Sequence, residues 1–134
     1  PGRAKREQDA ARQRASLESA HKLYRGEFMC GVYEDWAEER RLFYSEQFAR
    51  VVAALAKLCL SEKRWADALR YAAEALAGDP FREDMHRLTM RAFAAQGKPA
   101  SVKKHFERMN KKLHTELGIE PAEETKRLFA ELVR

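Results

Sequence analysis

Cysteine is scarce. The chain has 2, Cys30 and Cys59, far apart and sharing no motif with histidine. No disulfide framework is expected, and a reducing, cytoplasmic setting fits. The 4 histidines, His21, His86, His105 and His114, have no histidine partner at four-residue spacing and no cysteine cluster beside them. A metal site is therefore not expected. The 6 glycines are scattered as stops and form no phosphate-cradling loop. No apolar run approaches a membrane span, and no signal peptide is visible. No nucleophile stands beside a base. Glu38 with Glu39, and Glu123 with Glu124, are adjacent on helices, where neighbours point about 100° apart, so they imply no shared acid–base site. The chain reads as no enzyme and needs no cofactor. Strand-type alternation is missing as well.

What is present is helical. The 134 residues suffice for one domain with a core. Alanine is prominent; it favours helix and lets helices approach closely. The net charge is +5, which attracts anions, although a solvated basic surface explains it more simply. The first residue is Pro1, not Met, so something further upstream is expected.

The organising stretch runs from Leu76 to Pro99. Gly78 is expected to close one helix in the left-handed conformation, and Asp79 to cap the next, with Pro80 in its first turn. Glu83 and Asp84 suit the positive end of that helix. Met85, Leu88, Ala92 and Phe93 give its buried face. Gly97 ends it and Pro99 starts another.

Taken in order, residues 3–25 alternate charge with alanine and then become amphipathic, with Leu17, Ala20 and Tyr24 on one helix face and Gly26 as its stop. Residues 1–16 read as either a frayed helical extension or a linker remnant, and 17–134 as the domain. Phe28, Met29, Val32 and Tyr33 form an apolar connection that needs cover. The longest helix is expected over 34–61, with Trp36, Phe43, Phe48, Val52, Leu55 and Cys59 inward. Trp36 and Trp65 read as core anchors. Further helices are expected over 64–77, 81–96, 99–117 and from Pro121. Their inward residues include Ala68, Ala75, Phe106, Met109, Leu113, Leu117, Thr125, Leu128 and Phe129. The fold class is all-α, with about six helices and no strand.

A repeat of about 34 residues, of the tetratricopeptide helical-hairpin type, fits from Ala49. Its small-residue positions fall on Ala56, Ala68 and Ala75, and its closing proline on Pro80. A second copy from Glu83 places Phe93, Val102, Phe106 and Met109 inward. It departs from the pattern at Met90 and His114; Pro121 follows about two helical turns later, a lengthening that would keep the same helix face. An ordinary antiparallel bundle is the alternative.

Leu23-Tyr-Arg-Gly-Glu-Phe28, Glu34-Asp-Trp-Ala-Glu-Glu-Arg-Arg41, Asp79-Pro-Phe-Arg-Glu-Asp-Met-His-Arg87 and Glu116-Leu-Gly-Ile-Glu-Pro-Ala-Glu-Glu-Thr125 resemble the bacterial transcriptional activator domain. That domain occurs in regulators of the Streptomyces antibiotic regulatory protein type. The resemblance spans about residues 17–134. It implies a tetratricopeptide-like regulatory and oligomerisation module, normally following a winged-helix DNA-binding domain. The implied partners are proteins: another copy, an adjacent domain or the transcription machinery. DNA would be met only through a domain not in this sequence. With no long heptad seam, a monomer or weak homodimer is expected. A helical domain sensing a small molecule or nucleotide is the alternative.

The resemblance to the repeat also implies a concave face lined by the first helix of each hairpin. Arg50, Lys57, Arg87 and Arg91 fall there, a cationic set suited to an acidic segment. The equal alternative is that these side chains keep an open surface soluble, or pair with Glu46, Asp84 and other local acids. On the fifth helix Lys103, Lys104, Arg108, Lys111 and Lys112 make a basic outer face. It is either solvated or a contact for an acidic partner, including DNA beside a winged helix.

Overall fold

The computed structural model describes residues 2–29 and 31–134, apart from the side chains of residues 2, 3, 27–29, 32 and 33. The expected apolar connection of Phe28, Met29, Val32 and Tyr33, and Cys30, therefore lie outside the described residues. The chain is 84% helical, with six helices and no strand among the described residues. They are α1 (Gly2–Met29), α2 (Glu38–Ser61), α3 (Trp65–Gly78), α4 (Glu83–Ala95), α5 (Pro99–Lys112) and α6 (Glu123–Leu132). A 3-10 turn, Val32–Asp35, precedes α2, and a π turn, Leu113–Leu117, follows α5.

The helices stack as tetratricopeptide-like hairpins. Connections of a few residues make α2 and α3, then α4 and α5, antiparallel neighbours. Contacts run α2 to α4 and α4 to α6, so these three form the inner layer. α6 occupies the place of the first helix of a third hairpin. α1 packs on α2 and reaches α3, where the His21 ring meets Tyr71 edge-on at 5.4 Å. It thus joins α3 and α5 in the outer layer.

The expected small residues stand at the crossings. Ala56, Ala68 and Ala72 are fully buried and Ala75 nearly so. Around them Val52, Leu55, Cys59, Tyr71, Met85 and Leu88 make one core cluster. Cys59 is a free buried thiol whose pKa is pushed up by burial. A second cluster gathers Met90, Val102 and Leu128, with Phe93, Phe106 and Phe129 against it. The Phe106 and Phe129 rings stack at 4.0 Å and fix α6 on α5. α4 contributes to both clusters. Its joint is built as expected at the far end, where Gly97 has φ 71° and Pro99 opens α5.

Several expectations are corrected. Gly26 does not end α1; a glycine inside a helix costs only about 1 kcal/mol, and the left-handed residue is Gly31, φ 79°. α1, at 28 residues, is longer than α2, at 24. Trp36 precedes α2 rather than opening it. Phe43 is 64% exposed, while its neighbour Tyr44 is buried. Tyr44, one turn before Phe48, continues the Phe48–Val52 stripe. Its ring meets Tyr24 and Trp36 edge-on, and its hydroxyl donates to the Tyr24 carbonyl. Gly78 is helical and lacks positive φ. Asp79 folds an Asx turn, accepting from the Phe81 amide at 3.1 Å, and the residue before α4 is Arg82. α6 begins two residues after the buried Pro121, at Glu123. Leu117 is 47% exposed, because the π turn rotates it off the inward face that Val102, Met109 and Leu113 hold. Gly118, φ 63°, then stops the helix as expected.

Candidate protein-interaction surfaces

The first surface is the inner face of α2 and α4. Arg50 and Arg91 stand exposed on it. Lys57 Nζ lies 3.7 Å from Asp84 Oδ2, across from α2 to α4. Asp84 is also held by Arg82, whose Nε and Nη2 donate at 3.0 and 2.9 Å. Burial pushes the Asp84 carboxyl up; the Arg82 hydrogen bonds and the Arg82 and Lys57 charges outweigh it, leaving the pKa lowered. Arg87 turns to α6. Its Nη1 donates to Thr125 Oγ1 at 3.0 Å, and Glu124 lies 3.9 Å away. Of the cationic set, Lys57 and Arg87 therefore have partners within the fold, and Arg50 and Arg91 face outward.

The second surface is the outer side of α5. Helical spacing divides its cations. Lys104 and Arg108 lie one turn apart on the side facing α3; Lys103 and Lys111 lie on a different stripe with Glu107. Lys112 is half-buried and paired with Glu116 at 3.4 Å. Between α3 and α5 runs a half-open trough of about 540 Å³. Leu69, Ala73 and Leu76 of α3 form one wall, and Phe93 and Thr89 of α4 form the floor. Ser101, Lys104, His105 and Arg108 of α5 form the other wall, and Arg70 stands on the α3 rim.

Behind the α5 wall of the trough, His105 Nε2 is 2.8 Å from His86 Nδ1, and His86 Nε2 is 2.8 Å from the Pro80 carbonyl oxygen. A carbonyl only accepts, so His86 Nε2 carries hydrogen. In neutral His86, Nδ1 then accepts, and His105 Nε2 donates to it. Burial lowers the His86 pKa, against the pull of the Pro80 carbonyl and of Glu83, Asp79 and Asp84. Burial, then the His86 and Arg108 charges, lower His105 to about 4. This pair is not visible in the sequence, where the residues lie on different helices. His21 was likewise missed. It is buried, stacked on Phe48 and bonded through Nε2 to Glu74 at 2.9 Å. Its position one turn after Leu17 on the same face was the available signal. Among the described residues no group of three or more metal-ligating side chains converges. No helix there is long and apolar enough to cross a membrane.

The remaining polar feature ties two sequence blocks together. Glu83 Oε1 accepts from Thr125 Oγ1 at 2.8 Å and from the Ala122 amide at 2.9 Å. Glu83 and Arg87 thus bind the start of α6 through a fully buried threonine. These are the blocks Asp79–Arg87 and Glu116–Thr125, whose order carried the family resemblance. Comparison with curated proteins gives no match, and neither does comparison with solved structures. The family model described as the bacterial transcriptional activator domain matches residues 1–133. With nearly its whole length matched, the chain belongs to the bacterial transcriptional activator domain family.

Proposed function

We propose that this domain is the regulatory and protein-interaction module of a bacterial transcription regulator of the Streptomyces antibiotic regulatory protein type. It follows a winged-helix DNA-binding domain, acts in the cytoplasm and performs no covalent chemistry. It works by presenting helix faces to a protein: an adjacent domain, the transcription machinery or a second copy in a weak homodimer. The family match over residues 1–133 carries this reading. The stacked hairpins support it, since such stacks expose broad helix surfaces for binding.

On the inner face, Arg50 and Arg91 receive an acidic segment, while Lys57 and Arg87 are engaged by Asp84 and by Thr125 and Glu124. The test is a promoter–reporter assay with the full-length regulator carrying Arg50→Glu and Arg91→Glu. Both side chains are exposed, so helicity and melting should hold while activation is lost. Full activation by the folded double variant would remove the inner face from the mechanism.

A further inference from the structure

We infer that the trough between α3 and α5 receives an acidic amphipathic helix of a protein partner. This adds an outer docking surface and does not depend on the inner-face cations. The α3 wall runs from Ala66 to Leu76. At about 1.5 Å per residue that is roughly 15 Å, the length of nearly three helical turns. An amphipathic helix laid there would set side chains spaced i, i+3 or i+4, and i+7 onto Leu69, Leu76 and Phe93. The banks choose its charge. Lys104 and Arg108 rise exposed from α5 one turn apart; Arg70 rises from α3, 63% exposed at its side chain, but is shared with Asp67 at 3.4 Å and lies over the Tyr71 ring. Among the described residues no carboxylate lines the trough; Asp67 stands outside it, against Arg70. A helix with leucines on one stripe and glutamates on its flanks meets the apolar floor and the cationic α5 rim together, with Arg70 shared between Asp67 and the other flank. A basic helix would face repulsion from Lys104 and Arg108 on the α5 bank. His105, kept neutral by burial and by the nearby Arg108, adds a polar wall without adding charge.

The probe is a synthetic, staple-locked peptide of three turns with that leucine stripe and glutamate flanks; its twin carries lysines instead. Binding is read by fluorescence anisotropy and by amide shift mapping on the whole chain. The glutamate peptide should bind, shift α3 and α5 amides around the trough, and weaken with added salt. Lys104→Glu with Arg108→Glu should weaken it by at least about tenfold. Ala73→Trp should do the same, because the exposed Ala73 position lets the indole fill the trough without disturbing the core. Lys103→Glu with Lys111→Glu makes the same charge change on the other stripe and should alter binding by less than about twofold. Equal binding of the lysine twin, equal loss in the Lys103/Lys111 variant, or shifts mapping elsewhere would each overturn the inference. Trough shifts with dodecanoate and none with the peptide would also overturn it, in favour of a small anionic amphiphile.

Discussion

Thr125 donates its hydroxyl hydrogen to Glu83 across 2.8 Å. The same oxygen accepts from Arg87, so one buried hydroxyl serves two residues of α4. Replacing it with a methyl group leaves both partners short of a bond inside the fold. Thr125→Val should destabilise the domain by about 1–3 kcal/mol. Urea denaturation gives the value, and unchanged stability would mean that α6 is held by Phe106 and Phe129 alone.

Arg87 must be kept apart from the inner-face cations in any such experiment. Arg87→Glu would set a carboxylate beside Glu83 and Glu124 and should lower the melting temperature, whereas Arg50→Glu and Arg91→Glu should not. Thermal melts followed by circular dichroism separate the two cases. Equal melting of all three variants would show that the clasp carries little stability.

Ala68 and Ala75 should tolerate no larger side chain. Added methylenes would push α3 from α2 and α4, so each change to Leu should cost roughly 1–3 kcal/mol. Variants that denature like the parent would place these alanines away from the helix crossings.

The histidine pair predicts the acid side of the stability profile. Both folded pKa values lie below the ordinary 6.5. Below that value the unfolded chain binds more protons than the folded one. The pair's contribution is therefore complete above about 6.5 and is lost as pH falls toward 4. His105→Leu should flatten this window while lowering stability at neutral pH, since His86 Nδ1 loses its donor. Denaturation midpoints taken across the window test it; an unchanged slope would assign acid sensitivity to other groups.

Two left-handed residues should respond in opposite directions. Lys63 has φ 62° without being glycine, and Gly118 has φ 63° with open space where a Cβ would go. Lys63→Gly should gain, and Gly118→Ala should lose, about 0.5–1 kcal/mol of stability. Opposite signs in matched urea titrations are the expected result. Equal signs would show that backbone strain is not what these positions share.

The sequence disclosed what spacing and punctuation control. Gly97, Pro99 and Gly118 mark real helix ends, and the alanines at 56, 68 and 75 mark real crossings. It misled where two choices satisfy one pattern. Phe43 and Tyr44 are adjacent aromatics, and only the rings of Tyr24 and Trp36, distant in the chain, select Tyr44. Gly26 looked like a stop because glycine weakens helix; neighbouring residues carry α1 through it. Of the candidate surfaces, the inner cations were readable as positions, and Asp84 as a local acid for them; that Arg87 is drawn off to Thr125 of α6 was not. The trough was half readable. Lys104 and Arg108 appear one turn apart, but Arg70 opposite them comes from another helix, brought near only by stacking.

α4 has a consequence of its own for how the domain comes apart. Met85 and Leu88 belong to one core cluster and Met90 to the other, so a single helix is keyed into both halves. Opening either half exposes one of its sides. Amide hydrogens in the middle of α4 should then exchange only through global unfolding and report the full stability of the chain. The exposed early turns of α1 should exchange by local fraying long before.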